Sequence, residues 1–291
     1  MSLTPIDTAI EQLVSLLSLI TEKESMPLEL SIGRVLADDC VSSVNVPPYS
    51  NSAMDGYALK SDDLDSKSIH LKITQRIAAG EVGRQLKSGE AARIFTGAPV
   101  PDGADAVVMQ ENCEVSGDVL SVLQQHVLSG ENLRKVGDDI EAGKLILAQG
   151  HRLRPQDIGL LASIGLNSVS VTRRLRVSLL TTGDELVQPG TKLKAGQIYN
   201  SNYFMLHGLL KGLQVEVLDC GIVADDFEET RRALISAAAT SDCIITTGGV
   251  SVGEEDHVKA VIEQEGELQL WKLAINPGKP LACGRVAKTQ F

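Results

Sequence analysis

Aromatic side chains are scarce in this 291-residue chain, at 3% of the composition with a single tryptophan. Whatever core it buries is therefore aliphatic. Basic residues are also outnumbered: 27 Lys and Arg stand against 38 Asp and Glu, for a net charge of −11, which argues against a general affinity for nucleic acid or anionic membrane. Cysteine is sparse and scattered. Cys40, Cys113, Cys220, Cys243 and Cys283 include no CxxC pair, which excludes a zinc knuckle and gives no disulfide scaffold. The histidines show no HxxH or HExxH spacing, and no P-loop is present. No apolar run reaches the roughly 18 residues of a membrane span. The start, "MSLTPIDTAIEQL", lacks the basic and apolar regions of a secretion signal. These absences lead us to expect a cytoplasmic protein whose partners are small molecules and protein surfaces.

What is present is organised in blocks. "TPIDTAIEQLVSLLSLI" predicts an opening helix with Thr4 as cap, Pro5 at the first helical position and Asp7 in a capping box. Ile6, Ile10, Leu13, Val14 and Leu17 share one face, which needs a partner surface. From about residue 42 to 143, short alternating runs broken by turn residues predict a β-rich domain. "MPLELSIGRVLADDCVSS" and residues 144–173 read as the outgoing and return limbs of a small connecting domain, with a short helix opened by Pro155. From 174 to 291, strands and helices alternate, which predicts an α/β domain with a parallel sheet covered on both faces.

Ligands on such sheets bind beyond the carboxyl ends of the strands. There, "SLLTT" runs into Gly183, Asp184 and Glu185, "CIITT" runs into Gly248 and Gly249, and "GIVADD" ends in Asp225 and Asp226. The stretch "TTGGVSVGEED" poses a contradiction: a glycine turn suited to phosphate leads straight into Glu254, Glu255 and Asp256. A hard cation between the acids and an anionic ligand resolves it, and Mg²⁺ with one or two carboxylates suits this inventory. Lys272 and Lys279, flanking a Pro-Gly turn before Pro280, could steady an oxyanion. Each acid alone is equally compatible with a solvated surface position, and a lysine in a turn is more often solvent-exposed than functional. The loops "PPYSNSAMDGYAL" and "FTGAPVPDGADAV" are by composition either connectors or binding loops.

Taken together and in order, "NSAMDGYA", "FTGAPVPDGADAVVMQE", "GDDIEAG", "TTGDEL", "TTGGVSVGEED" and "INPGKP" resemble the MoeA-type molybdopterin molybdenumtransferases, the family that includes the E domain of gephyrin. The resemblance implies a multidomain α/β protein. Its molybdopterin-binding domain III, with a MoaB/Mog-like α/β/α fold, spans 174–291 and packs with the helix of 1–22. Domain I spans 23–41 and 144–173, and β-rich domain II spans 42–143. It also implies a homodimer, in which domain III of one subunit and domain II of the other bind adenylated molybdopterin. With Mg²⁺ and molybdate, molybdenum then enters the dithiolene and AMP is released. The molybdopterin-adenylating protein of the same pathway is the implied partner.

Carried over by motif, Asp55, Thr96, Asp139, Glu185, Asp225 and Asp256 are the expected catalytic residues, with Glu185 and Asp256 at the metal. Asp184, Gly248, Gly249, Ser251, Lys272, Asn276, Lys279 and Pro280 are the expected cofactor-binding set. Two departures stand out. Asn276 replaces the first lysine of the family's Lys-Pro-Gly-Lys-Pro, and the chain stops at Phe291, before the family's C-terminal β-domain IV, so a truncated form is expected. Both leave open an alternative, a homologue that binds molybdopterin or acts as a scaffold without inserting metal.

Overall fold

The computed structural model describes residues 3–64, 70–249, 257–274 and 280–291. The chain divides into two compact units, one of residues 1–24 and 172–291, the other of residues 25–171.

In the first unit, a six-stranded sheet runs in the order Glu216–Val223, Arg176–Thr182, Cys243–Thr247, Thr289–Gln290, Pro280–Val286, Gly266–Lys272. The first four strands are parallel. Pro280–Val286 then runs antiparallel to both its neighbours, so that Gly266–Lys272 points the same way as the first four; the parallel sheet expected from the sequence thus carries one antiparallel strand near its edge. An alternating run such as "LQLWKLAI" specifies a strand but not the direction of its neighbour. Six consecutive residues of Arg176–Thr182 are buried, as a central strand covered on both faces requires. Leu180 and Ile244 from the sheet pack with Leu234 and Ala237 of helix Phe227–Thr240 and with Val258, Val261 and Ile262 of helix His257–Glu265.

The opening helix covers Ile6–Leu16 and belongs to this unit. Its start departs from the expected cap. Pro5 occupies the N-cap without a side-chain bond. Thr4 instead bridges to Leu273 in parallel, its carbonyl accepting the Ala274 N–H at 2.8 Å. Being committed to that bridge in an extended conformation, Thr4 sits one residue too early to cap. Arg173 ties the two chain segments of the unit together. It donates to Glu22 at 2.5 Å and, through both terminal nitrogens, to Asp242 at 2.6 and 2.7 Å.

The second unit holds another six-stranded sheet, in the order Ala106–Met109, Gly56–Leu59, Glu90–Ile94, His70–Ile77, Val119–Val122, Cys113–Ser116. Only the pair His70–Ile77 and Glu90–Ile94 is parallel. Successive residues alternate between two apolar clusters, Ala58, Ala92, Ile94 and Val107 in one and Leu59, Ala91, Ala106 and Val108 in the other, as the period of two in a strand dictates. Small alanines at these crossings let the sheet be buried on both faces with few aromatics. A third cluster joins Leu28 and Leu36 to Leu153, Leu161, Ile164, Val169 and Val171 around helix Pro155–Ser163. That helix is capped from within: buried Asp157 accepts from the Arg154 N–H and side chain and from His151.

Candidate functional site

In the first unit, Thr181 stands in parallel register with Thr247, and Thr182 with Val223. The loops that follow the three strands therefore leave one edge of the sheet. The Asp184 N–H donates to Asp225 Oδ2 at 3.2 Å, and the Asp225 N–H donates to Asp184 Oδ1 at 3.1 Å. Each of these acids thus fixes the other's loop and keeps a carboxylate oxygen free of the pairing. The pairings of the remaining strands put Lys272 opposite Pro280 at the same edge. Ser251, Asp256, Asn276 and Lys279 lie outside the described residues.

Beside these loops is a cleft of about 160 Å³ whose walls include Thr182, Glu185, Asn200, Ser201, Asn202 and Gly248. Gly248 has φ 99°, and a Cβ there would stand 2.7 Å from Thr182 Oγ1, so both conformation and space exclude a side chain. Gly249 follows it in the same turn. Asn200, 2% exposed, donates to Thr181 Oγ1 at 2.9 Å and accepts the Tyr203 N–H at 3.3 Å, capping helix Ser201–Gly212. The first turn of that helix, with N–H groups that lack intrahelical acceptors, is thereby set into the wall of the cleft. A glycine turn, a helix N-terminus and a carboxylate around one small cleft suit a phosphate-bearing ligand approached together with a cation. Sequence reasoning missed Thr182, Asn200, Ser201 and Asn202. The available signal was "YNSN", a capping residue placed just ahead of a helix that starts at the carboxyl edge.

The donor set of this edge consists of carboxylates, carbonyls and hydroxyls, oxygen ligands of the kind Mg²⁺ prefers. Among the described residues no three acidic, histidine or cysteine side chains converge as a metal cluster.

In the second unit, two of the expected residues meet directly. Asp55 Oδ1 accepts both the Thr96 N–H and the Thr96 hydroxyl, each at 2.8 Å. The Thr96 amide first, then its hydroxyl and the charge of Arg93, hold the Asp55 carboxyl below its ordinary range. The following residue, Gly56, has no room for a side chain, since a Cβ would lie 2.0 Å from the Val108 carbonyl oxygen. The short strand Asn51–Ser52 just upstream pairs with Leu133–Arg134, placing Arg134 opposite Asn51. Arg134 forms an ion pair with Asp139, so the third expected residue of this unit is held by a side chain the sequence reading did not single out.

Two family models divide the chain between them. The model described as "MoeA N-terminal region (domain I and II)" matches residues 4–165, and one described as "Probable molybdopterin binding domain" matches residues 178–290. The chain belongs to the MoeA family. It is 40% identical over 287 residues to the molybdopterin molybdenumtransferase of Haemophilus influenzae, covering 98% of this chain and 71% of that protein. It is 36% identical to molybdopterin molybdenumtransferase 2 of Mycobacterium tuberculosis, covering 91% and 68%. The crystal structure of the molybdopterin biosynthesis MoeA protein from Pyrococcus horikoshii superposes with a TM-score of 0.86 at 33% identity, over 99% of this chain and 73% of that one. The resemblance drawn from the six motifs and the multidomain α/β fold it implied are both borne out by these matches.

Proposed function

We propose that this chain is a molybdopterin molybdenumtransferase of molybdenum cofactor biosynthesis, which inserts molybdenum from molybdate into adenylated molybdopterin with release of AMP. The observation that carries the reading is the cleft of Glu185, Asn200–Asn202 and Gly248 within the segment that matches a molybdopterin-binding domain. In this reading the N–H groups of Gly248 and Gly249 and the start of helix Ser201–Gly212 hold the terminal phosphate. Ser251 joins them from outside the described residues. Glu185 and Asp256 hold Mg²⁺, which would supply charge to the phosphate oxygens. Asp184 and Asp225 keep the two loops in place. Asp55 and Thr96 orient the adenylate or the attacking water, and Asp139 steadies Arg134. Lys272, Asn276, Lys279 and Pro280 flank the molybdate.

Domains I, II and III are assigned as the motifs imply. The protein is a cytoplasmic homodimer that receives its substrate from the molybdopterin-adenylating protein of the pathway. The test is AMP release from adenylated molybdopterin with and without molybdate and Mg²⁺, for this chain and for one extended past Phe291. Molybdate-dependent release that falls on Glu185→Gln supports the transferase. A second reading is favoured by Asn276, which removes a cation expected beside the dianion: tight pterin binding with no AMP release in either chain would make this a binding homologue.

A further inference from the structure

Arg93 sits at the centre of contacts to residues that adjoin or bond the Asp55–Thr96 pair. It stands on strand Glu90–Ile94, in antiparallel register with Tyr57. Its Nη1 donates to the Gly56 carbonyl at 2.9 Å, and its Nη2 donates to Gln110 Oε1 at 2.5 Å. Gln110 in turn donates its backbone N–H to the Asp55 carbonyl at 3.1 Å. The guanidinium carbon lies over both rings, 5.2 Å from the centre of Tyr57 and 4.6 Å from that of Phe95. These rings directly follow Gly56 and precede Thr96. The two residues that share a carboxylate are therefore each braced, one step along the chain, by the same side chain.

We propose that Arg93 is a positioning residue for the Asp55–Thr96 pair, fixing both loop backbones so that the carboxylate meets substrate in one orientation. The inference rests on the transferase reading, in which Asp55 and Thr96 act on the substrate. Only arginine matches the task. Its planar fork serves Gly56 and Gln110 while its charged carbon lies over two rings, whereas a lysine could keep the charge and one bond but not the two-pronged donation. Arg76 supplies an internal control, because it lies 4.5 Å over the same Phe95 ring but makes no hydrogen bond to Gly56 or Gln110.

The experiment follows two readouts in Arg93→Gln, Arg93→Lys and Arg76→Gln: hydrogen exchange of the Thr96 amide, and the steady-state rate of AMP release. In Arg93→Gln the Thr96 amide should exchange roughly tenfold faster or more. Its kcat should fall roughly 10- to 100-fold with KM within about twofold, since displaced catalytic geometry is felt in the transition state. Arg93→Lys should fall between Arg93→Gln and the wild type, and Arg76→Gln, which removes one ring contact but neither hydrogen bond, should shift both readouts less than Arg93→Gln does. An unchanged Thr96 amide in Arg93→Gln overturns the proposal. So does equal loss of protection along the whole strand Glu90–Ile94, which would mark Arg93 as a general structural prop. If the wild type releases no AMP, the transferase reading fails separately, and amide exchange still decides whether Arg93 holds the pair.

Discussion

A single residue shows how the chemistry of this chain is tuned. Asp55 is exposed, yet two bonds from Thr96 and the nearby charge of Arg93 keep its carboxyl below the ordinary 3.8. A depressed value means that Asp55 stays ionised further into acid than a free aspartate does. Thr96→Val removes the hydroxyl donor and keeps the shape and the amide. The Asp55 value should then rise toward 3.8, and in the transferase reading the acid limb of the pH–rate profile should move to higher pH while the neutral plateau drops. Carboxyl titration by NMR checks the first part without any turnover. Glu185 invites a different substitution: Glu185→Gln changes one charge and almost no volume, so it should lower turnover and the response to Mg²⁺ while leaving the unfolding free energy within about 0.5 kcal/mol of wild type. Unaltered Mg²⁺ dependence would remove Glu185 from the metal.

At the scale of elements, much was legible because the signals are local. Alternation of apolar runs with helical stripes marked the strands and helices of 174–291, and acids placed just after strands marked one edge of a sheet. What was not legible depends on pairing over distance. The antiparallel turn of the sheet past Thr289–Gln290 is written in backbone hydrogen bonds that an apolar pattern does not encode. Arg93 and Arg134 gain their roles only when strands far apart in the chain lie side by side. Asn200 was hidden because its cap also serves as the wall of a cleft. Helix Pro155–Ser163 gives a prediction at this scale. Asp157 is 3% exposed and serves the Arg154 side chain, the His151 ring and the Arg154 N–H at once. Asp157→Ala leaves these donors unmatched and should destabilise the second unit by about 1–3 kcal/mol. Arg154 first, then His151 and the Arg154 amide, depress the Asp157 value far below 3.8. Its contribution is therefore complete at neutral pH and lost as the pH falls below that ordinary value toward the folded one. The variant should accordingly show a shallower loss of stability between about pH 4 and pH 2 in chemical denaturation.

At the scale of the whole molecule, apolar surface is what demands a partner. The opening helix buries only Ala9, leaving Ile6, Ile10, Val14 and Leu17 between 46% and 66% exposed. Helix Ser201–Gly212 leaves Met205, Leu209 and, just past its end, Leu213 between 58% and 64% exposed, spaced four apart on one stripe. Both stripes belong to the first unit. Continuous apolar faces of this kind are uncommon on monomers and frequent at subunit contacts. A homodimer that buried them would gain roughly 25 cal/mol for each Å² of apolar surface removed from water. Sedimentation equilibrium should then give about twice the 31.1 kDa chain mass. Val14→Asp and Leu209→Asp each place a charge on one stripe at a site already open to solvent in the single chain. Neither should disturb the fold, as far-ultraviolet circular dichroism would verify, but whichever stripe forms the contact should lose its dimer. The desolvation cost of a carboxylate in such an interface is several kcal/mol, enough to raise the dissociation constant by two orders of magnitude or more. A wild-type mass of one chain, or two variants that both stay dimeric, would show that these faces are not the contact and would withdraw the homodimer as read from them.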